Sequence, residues 1–241
     1  MSLKPVIIIP SRIGSTRLKN KPLVNLNGKS LIQRVYENAI SIIDDVYIAT
    51  DSMEIFDHTS SFTNNIVMTS KDHISGTDRV YEAAEILNID NDRLIINLQG
   101  DEPFMPSSIV NNLINQYKNN NCDVITSAHI LDDPLLINNY NCVKAIINED
   151  SFADDFLREV DINKHDHFYQ HIGIYGYSLK TLKELINLEP TQNELSRNLE
   201  QLRFLDNGYK IFISITDEVI PPGIDTQDDV NRAINFIAND S

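Results

Sequence analysis

The chain has 241 residues, 41% of them apolar, and sets 20 Lys and Arg against 35 Asp and Glu for a formal net charge of -15. That length and apolar share suffice for one large domain or two small ones with a substantial core. The acidic field repels polyanions, which argues against broad binding to nucleic acid or an anionic membrane. No apolar run approaches the roughly 20 residues of a membrane span, and the opening MSLKPV lacks the long apolar region of a secretory signal. Cys122 and Cys142 stand in no metal-ligand or redox spacing, as suits a reducing compartment. The expectation is a cytoplasmic protein without a nucleic-acid or membrane partner.

Along the chain, short β-branched runs alternate with amphipathic segments. PVIIIP predicts a strand buried on both faces. Directly after it Arg12, Arg17, Lys19 and Lys21 crowd into one loop. Asn27-Gly28 predicts a turn, and SLIQRVYENAISI places Leu31, Val35, Ala39 and Ile42 at helical spacing behind Ser30 as N-cap. DVYIAT, NIVMTS and DRLIINLQ predict three more strands, with a helix TDRVYEAAEIL capped by Thr77 between the last two. PSSIVNNLINQYK predicts a helix with proline in its first turn, followed by strand DVITSAHI.

After Ile130 the pattern loosens. The strand-like CVKAIIN and HIGIYGYS flank a polar, poorly periodic middle, which reads as an excursion from the main sheet. Helical periodicity returns in LKTLKELINL and in NELSRNLEQLRFLDNG, read as a helix ended by Gly208, before strand KIFISI and a helix from Thr226. The alternation predicts an α/β fold with a mostly parallel central sheet covered by helices on both faces. A single domain is expected over residues 1–241, with an inserted segment at about 131–178.

Ligands of open α/β sheets bind at the carboxyl ends of the strands. The basic loop leaves the end of the first strand, and Arg forks and Lys point charges are what phosphate oxygens require. No G-x-G-x-x-G follows that strand, and NGKS lacks the earlier glycine of a P-loop, Leu23 standing there instead. LQGDEPF sets Asp101 and Glu102 in a turn at the end of a later strand, and PPGIDTQDD sets Asp225 in another before the last helix. Asp101 could be an ordinary turn residue and Asp225 a helix cap. Converging opposite the basic loop, the two aspartates would instead make a metal-nucleotide site.

The segments IIPSRIGSTRLKNKPL, DHISGTDR, QGDEPFMP, HIGIYGY, LEQLR and GIDTQDD, in that order, resemble the 3-deoxy-manno-octulosonate cytidylyltransferases, or CMP-Kdo synthetases, over nearly the whole chain. The first segment alone would suggest only a nucleotidyltransferase that makes activated sugars. The resemblance implies a Rossmann-like nucleotidyltransferase fold and Mg²⁺-dependent transfer of CMP from CTP to the anomeric hydroxyl of an eight-carbon 2-keto sugar acid. It also implies release of pyrophosphate, a role in lipopolysaccharide synthesis, and a homodimer joined through the inserted segment. By match to the family's motifs, Arg12, Ser15 and Lys21 would hold the triphosphate, with Gln99 near the nucleotide. Ser75, Gly76, Thr77 and Arg79 would lie near the cytosine. Asp101 and Asp225 would bind Mg²⁺, completing a catalytic set with Arg12 and Lys21. His171, Tyr175, Glu200 and Gln201 would bind the sugar acid.

The chain departs from that pattern in places. Leu157 stands for a serine before Arg158, Asp161-Ile162 for Ile-Pro, Arg197 for a carboxylate and Lys19 for a proline. These departures leave the 8-amino analogue of Kdo, or another 2-keto sugar acid such as a sialic acid, as alternative substrates. His165, His167 and His171 lack an evident fourth ligand, so zinc is not expected.

Overall fold

The computed structural model describes residues 4–14, 17–162, 167–218, 220 and 223–239. The chain divides into two compact units, residues 1–107 with 220–241 and residues 108–219. The expected inserted segment lies within the second. Among the described residues, no helix is long and apolar enough to cross a membrane.

The first unit opens with strand β1 (Val6–Ser11), every residue of which is buried. A two-residue hairpin, β2 (Asn25–Leu26) and β3 (Lys29–Ser30), follows, its turn made by Asn27 and Gly28 at φ 54° and 89°. Positive φ at both positions is what a tight hairpin needs, and Asn-Gly adopts it at low cost. Helix α1 (Leu31–Ile42) starts at Ser30, whose side chain accepts from the Gln33 N–H, and buries Leu31, Val35 and Ala39 as the spacing predicted. Next come β4 (Val46–Thr50), α2 (Met53–Thr59), β5 (Ile66–Met68), α3 (Gly76–Ile86) and β6 (Leu94–Leu98). The short α2 has too little apolar periodicity to read from sequence. The predicted cap of α3 moves back to Ser75, which accepts from the Asp78 N–H while the Asp78 side chain takes the Ser75 N–H. That reciprocal box satisfies two helix-end donors, and Thr77 lies buried in the first turn.

β1 pairs in parallel with β4 and β6, and β4 with β5. A central strand covered on both faces explains the unbroken run Val6–Ile9, all fully buried, since each such side chain contributes about 1.5–3 kcal/mol.

The second unit begins in α4 (Ser107–Asn119), with Pro106 just before rather than inside its first turn. It continues with β7 (Val124–Ile130), α5 (Pro134–Ile137), β8 (Lys144–Ile147) and β9 (Ala153–Leu157). β10 (Tyr169–Ser178), α6 (Leu179–Leu185), α7 (Gln192–Arg197), α8 (Gln201–Asp206) and β11 (Ile211–Thr216) complete it. β11 runs parallel to β7, whereas the pairs β7–β10, β10–β8 and β8–β9 are antiparallel. The polar middle of the inserted segment therefore contains a strand, β9, that its weak alternation hid. The helix expected from Asn193 to Gly208 is two helices, broken where Asn198 adopts φ 53°. The chain then returns to the first unit with α9 (Gln227–Asn239).

Candidate active site

A cleft of about 410 Å³ opens at the carboxyl ends of β1 and β6 in the first unit. Pro10 and Ser11 line it from the end of β1, Arg12, Gly14, Arg17 and Lys21 from the basic loop, and Gln99, Gly100 and Asp101 from the turn after β6. His73 to Gly76 and Arg79 line it from the start of α3, and Asp225 from the loop before α9. Of the residues expected at the nucleotide, Arg12, Lys21, Ser75, Gly76, Arg79, Gln99, Asp101 and Asp225 thus share one cleft, while Thr77 does not line it. Ser15 lies outside the described residues.

At its centre the Lys21 ammonium donates to Asp101 Oδ2 at 2.6 Å and to Asp225 Oδ1 at 2.8 Å. Burial opposes the charge on Lys21, but Asp101 and then Asp225 outweigh it and raise the pKa above the ordinary lysine value. The lysine is therefore a fixed cation at neutral pH. Arg17 reaches the other oxygen of Asp225, Oδ2, at 3.0 Å from the solvent side.

Each group is held by its local backbone. Pro22 is buried in a single 3-10 turn, Lys21–Leu23, which sets the direction of Lys21. The Glu102 N–H closes the turn after β6 on Gln99 O, and the Ile224 N–H bonds Asp101 O at 2.9 Å, pinning one aspartate loop to the other. The cap of α9 is formed by Thr226 and Asp229, Asp229 accepting from the Asp225 and Thr226 N–H groups. Asp225 is thereby spared that task, and its carboxylate turns to Lys21. Burial, and next the charge of Asp101, push the Glu102 carboxyl up to about 8 against the pull of Lys21, so this neighbour is neutral at pH 7.

Two glycines let the loops approach. A Cβ on Gly76 would meet Pro10 Cγ at 3.3 Å, and one on Gly100 would meet Pro10 O at 2.8 Å. The second obstacle is backbone and cannot rotate away. Gly100→Ala is expected to cost about 1–3 kcal/mol by forcing the strand ends apart. A denaturation midpoint equal to wild type would show that they have room.

Not every charged lining residue is free to bind a ligand. The buried Arg79 guanidinium donates to Asp51 Oδ2 at 2.9 Å and Thr69 Oγ1 at 2.6 Å, bracing the ends of β4 and β5 to α3. Gln99 donates its amide N–H to Asn97 Oδ1 at 3.0 Å. Of these groups, sequence reading singled out neither Gly100 nor Pro10 nor His73, although a glycine directly before Asp101 was a usable signal.

The residues expected at the sugar acid lie in the second unit. The His171 and Tyr175 rings sit 5.5 Å apart, and Phe156 packs edge-on to His171 at 5.0 Å. In a regular strand, positions four apart are separated by about 13 Å. Here Ile172 faces Ser127 and Tyr175 faces Thr126, so Gly173 and Ile174 form an irregularity that brings the two side chains together. Tyr177 packs in the core, 1% exposed.

Thr126, buried in β7, sets the tautomer of His171. Its single hydroxyl proton goes to a carbonyl, Ile174 O at 2.7 Å or Ile172 O at 3.1 Å. The oxygen must therefore accept from His171 Nε2 at 3.0 Å, leaving Nδ1 as a hydrogen-bond acceptor. Burial lowers the His171 pKa to about 4, so the ring is neutral at neutral pH. Burial, then Glu200 and Tyr177, raise Tyr175 well above its ordinary value, keeping its phenol protonated.

Glu200 and the buried Gln201 stand at the start of α8. Arg158 clamps the preceding turn through Arg197 O at 2.7 Å and Asn198 O at 3.0 Å. Arg197, in place of a carboxylate, pairs with Asp155 at 2.6 Å, so this departure carries its own partner. His165 lies outside the described residues.

Parallel strands ending in a basic loop, with two aspartates converging on one cation, are compatible with the nucleotidyltransferase class. A family model described as Cytidylyltransferase matches residues 6–211. A 3-deoxy-manno-octulosonate cytidylyltransferase of Bacteroides thetaiotaomicron is 40% identical over 97% of this chain and 98% of its own. Its counterpart in Parabacteroides distasonis is 38% identical over 98% and 99%. A solved structure of CMP:2-keto-3-deoxy-manno-octonic acid synthetase complexed with CTP matches with a TM-score of 0.91 and 31% identity, over 99% of this chain and 100% of that one. The chain belongs to the 3-deoxy-manno-octulosonate cytidylyltransferase family of nucleotidyltransferases.

Proposed function

We propose that this chain transfers CMP from CTP to the anomeric hydroxyl of 3-deoxy-D-manno-octulosonate, giving CMP-Kdo and pyrophosphate for lipopolysaccharide synthesis in the cytoplasm. The observation that carries the reading is the convergence of Lys21, Asp101 and Asp225 from three loops, in a cleft that also holds Arg12 and Gln99. The substrates named for the relatives support it.

In the reaction the hydroxyl oxygen bonds to the α-phosphorus, the bond from that phosphorus to the bridging oxygen breaks, and the hydroxyl proton leaves to solvent. Arg12 and Lys21 bind the triphosphate and stabilise negative charge growing on the pyrophosphate. A sugar carboxylate and a triphosphate repel each other, which is why an acidic chain gathers cations on this loop.

Asp101 and Asp225 are the residues that would hold Mg²⁺. They already share one cation, the ammonium of Lys21, and present carboxylate oxygens of the kind Mg²⁺ takes, so the donor set fits. When bound, the metal would neutralise phosphate charge and lower the pKa of the attacking hydroxyl. His171 Nδ1 would accept from a sugar hydroxyl and the Tyr175 phenol would donate, with Glu200 and Gln201 completing the sugar-acid site. The inserted segment, about 131–178, would join two copies as a homodimer. Its exposed Leu135, Tyr140 and Ile162 support that role, and a monomer at micromolar concentration in sedimentation would reject it.

The deciding experiment is CTP- and Mg²⁺-dependent pyrophosphate release with Kdo. Release confirms the reading, preference for the 8-amino sugar would move the substrate, and silence from folded protein would overturn it. His171→Ala is expected to raise KM for the sugar acid at least about tenfold, the scale of one buried hydrogen bond, with KM for CTP nearly unchanged. Since His171 stays neutral down to about pH 4, wild-type KM for the sugar should show no step near pH 6.5. Equal rises in both KM values would remove the residue from the sugar site.

A further inference from the structure

We propose that Lys21 is a resident counter-ion for the metal site: it holds Asp101 and Asp225 at binding distance before a divalent cation arrives, then yields its place and turns to the phosphates. The inference rests on the reading above and extends it to the order in which charges assemble.

The geometry points to shared occupancy of one position. The ammonium takes Asp101 Oδ2 at 2.6 Å and Asp225 Oδ1 at 2.8 Å, one oxygen from each carboxylate. Asp101 and Asp225 are the residues that would hold Mg²⁺, whose contacts to carboxylate oxygens are shorter than those of an ammonium. The ammonium and the ion cannot both sit between the carboxylates, being like charges in contact. The loops are pinned by the Ile224 N–H on Asp101 O, but without a cation the two carboxylates would repel each other and their side chains would swing apart, so the lysine preserves a spacing that the metal later uses.

The rest of the loop allows the exchange. Pro22 is buried and the backbone around Lys21 is closed by Leu23 N–H to Asn20 O and Val24 N–H to Lys21 O, so the main chain is held. The four-carbon stem of lysine can swing its ammonium while that backbone stays fixed. Arg17 does not stand between the carboxylates. It pairs with Asp225 through the opposite oxygen, with a side chain that is 66% exposed. Arg17 can therefore remain on Asp225 throughout. The arrangement makes the metal and Lys21 competitors in the absence of nucleotide, and partners once phosphate oxygens are there to receive the ammonium.

The test is Mn²⁺ binding to the full chain without nucleotide, read from the loss of the free-ion electron paramagnetic resonance signal. Lys21→Met, which keeps the length and removes the charge, is expected to bind Mn²⁺ at least about tenfold more tightly than wild type, because a nearby unit positive charge is gone. Mn²⁺ binding that is equal or weaker in Lys21→Met, including none in either protein, overturns the proposal. A second measurement needs no variant. Mn²⁺ should raise the rate at which an acylating reagent labels Lys21 in the wild type, followed by mass spectrometry, and an unchanged rate overturns the proposal. Neither readout depends on turnover. Failure here with an enzyme that releases pyrophosphate would sink this inference alone, whereas silence with CTP and Kdo would sink the functional reading and leave the competition standing.

Discussion

Asp101→Asn is expected to lower turnover by about a thousandfold or more, the scale of several kcal/mol of lost charge stabilisation in the transition state. The amide keeps the volume of the side chain but removes one of the two carboxylates that converge on Lys21. It also weakens the hold on Lys21 itself, so the proposed metal position and the lysine proposed to bind the triphosphate are disturbed together. The fold should survive. The turn is closed by the Glu102 N–H on Gln99 O, and the loop contact from the Ile224 N–H goes to the Asp101 carbonyl, both backbone bonds that the substitution leaves in place. Steady-state pyrophosphate release, paired with thermal denaturation, measures the two quantities separately. Wild-type turnover in a normally folded variant would take Asp101 out of the metal site.

The largest effect on stability is expected from Glu194→Ala in the second unit. Glu194 is 8% exposed. It accepts from Arg203 Nε at 2.7 Å and Nη2 at 2.5 Å and closes a capping box with Thr191 at the start of α7. Removing Glu194 takes away the carboxylate that neutralises the Arg203 guanidinium in this buried pair, at a cost of roughly 3 kcal/mol. For a chain of this size that lowers Tm by roughly 10 °C. The pair ties α7 to α8 across the turn that carries Glu200 and Gln201, so sugar use should fall more than CTP binding. A Tm within about 2 °C of wild type, the effect of less than 1 kcal/mol, would show that Arg203 finds equal compensation elsewhere.

The two aspartates show how far single positions could be read. Asp101 and Asp225 were visible as acidic residues in turns, each with an ordinary alternative role. The structure gives the helix cap to Thr226 and Asp229 and closes the turn around Asp101 with a backbone hydrogen bond, so both carboxylates meet Lys21. Arg79 shows the opposite outcome. Its motif placed it near the nucleotide and it lines the cleft, but its guanidinium is occupied by Asp51 and Thr69.

Elements with a strong period were legible from the sequence alone. The run Val6–Ile9 reads as a buried strand, Ser30 followed by the spacing of α1 as a helix start, and Asn27-Gly28 as a turn, because each pattern is written within a few neighbouring residues. The alternation of such elements determined the α/β class, and the clustering of Arg12, Arg17 and Lys21 after the first strand marked a loop of the chemistry that suits an anion. Tertiary structure decided what depends on distant partners. Polar β9 is a strand because β8 offers it a ladder, and the last long helical pattern breaks at Asn198, where Arg158 takes its carbonyl. The approach of Tyr175 to His171 needs an irregularity that period-two alternation hides. The meeting of Lys21 with Asp101 and Asp225, 80 and 204 residues away, exists only once the strand ends are assembled. Local periodicity is written in neighbouring residues, whereas a shared cation is a property of three loops that only the folded chain brings within a hydrogen bond.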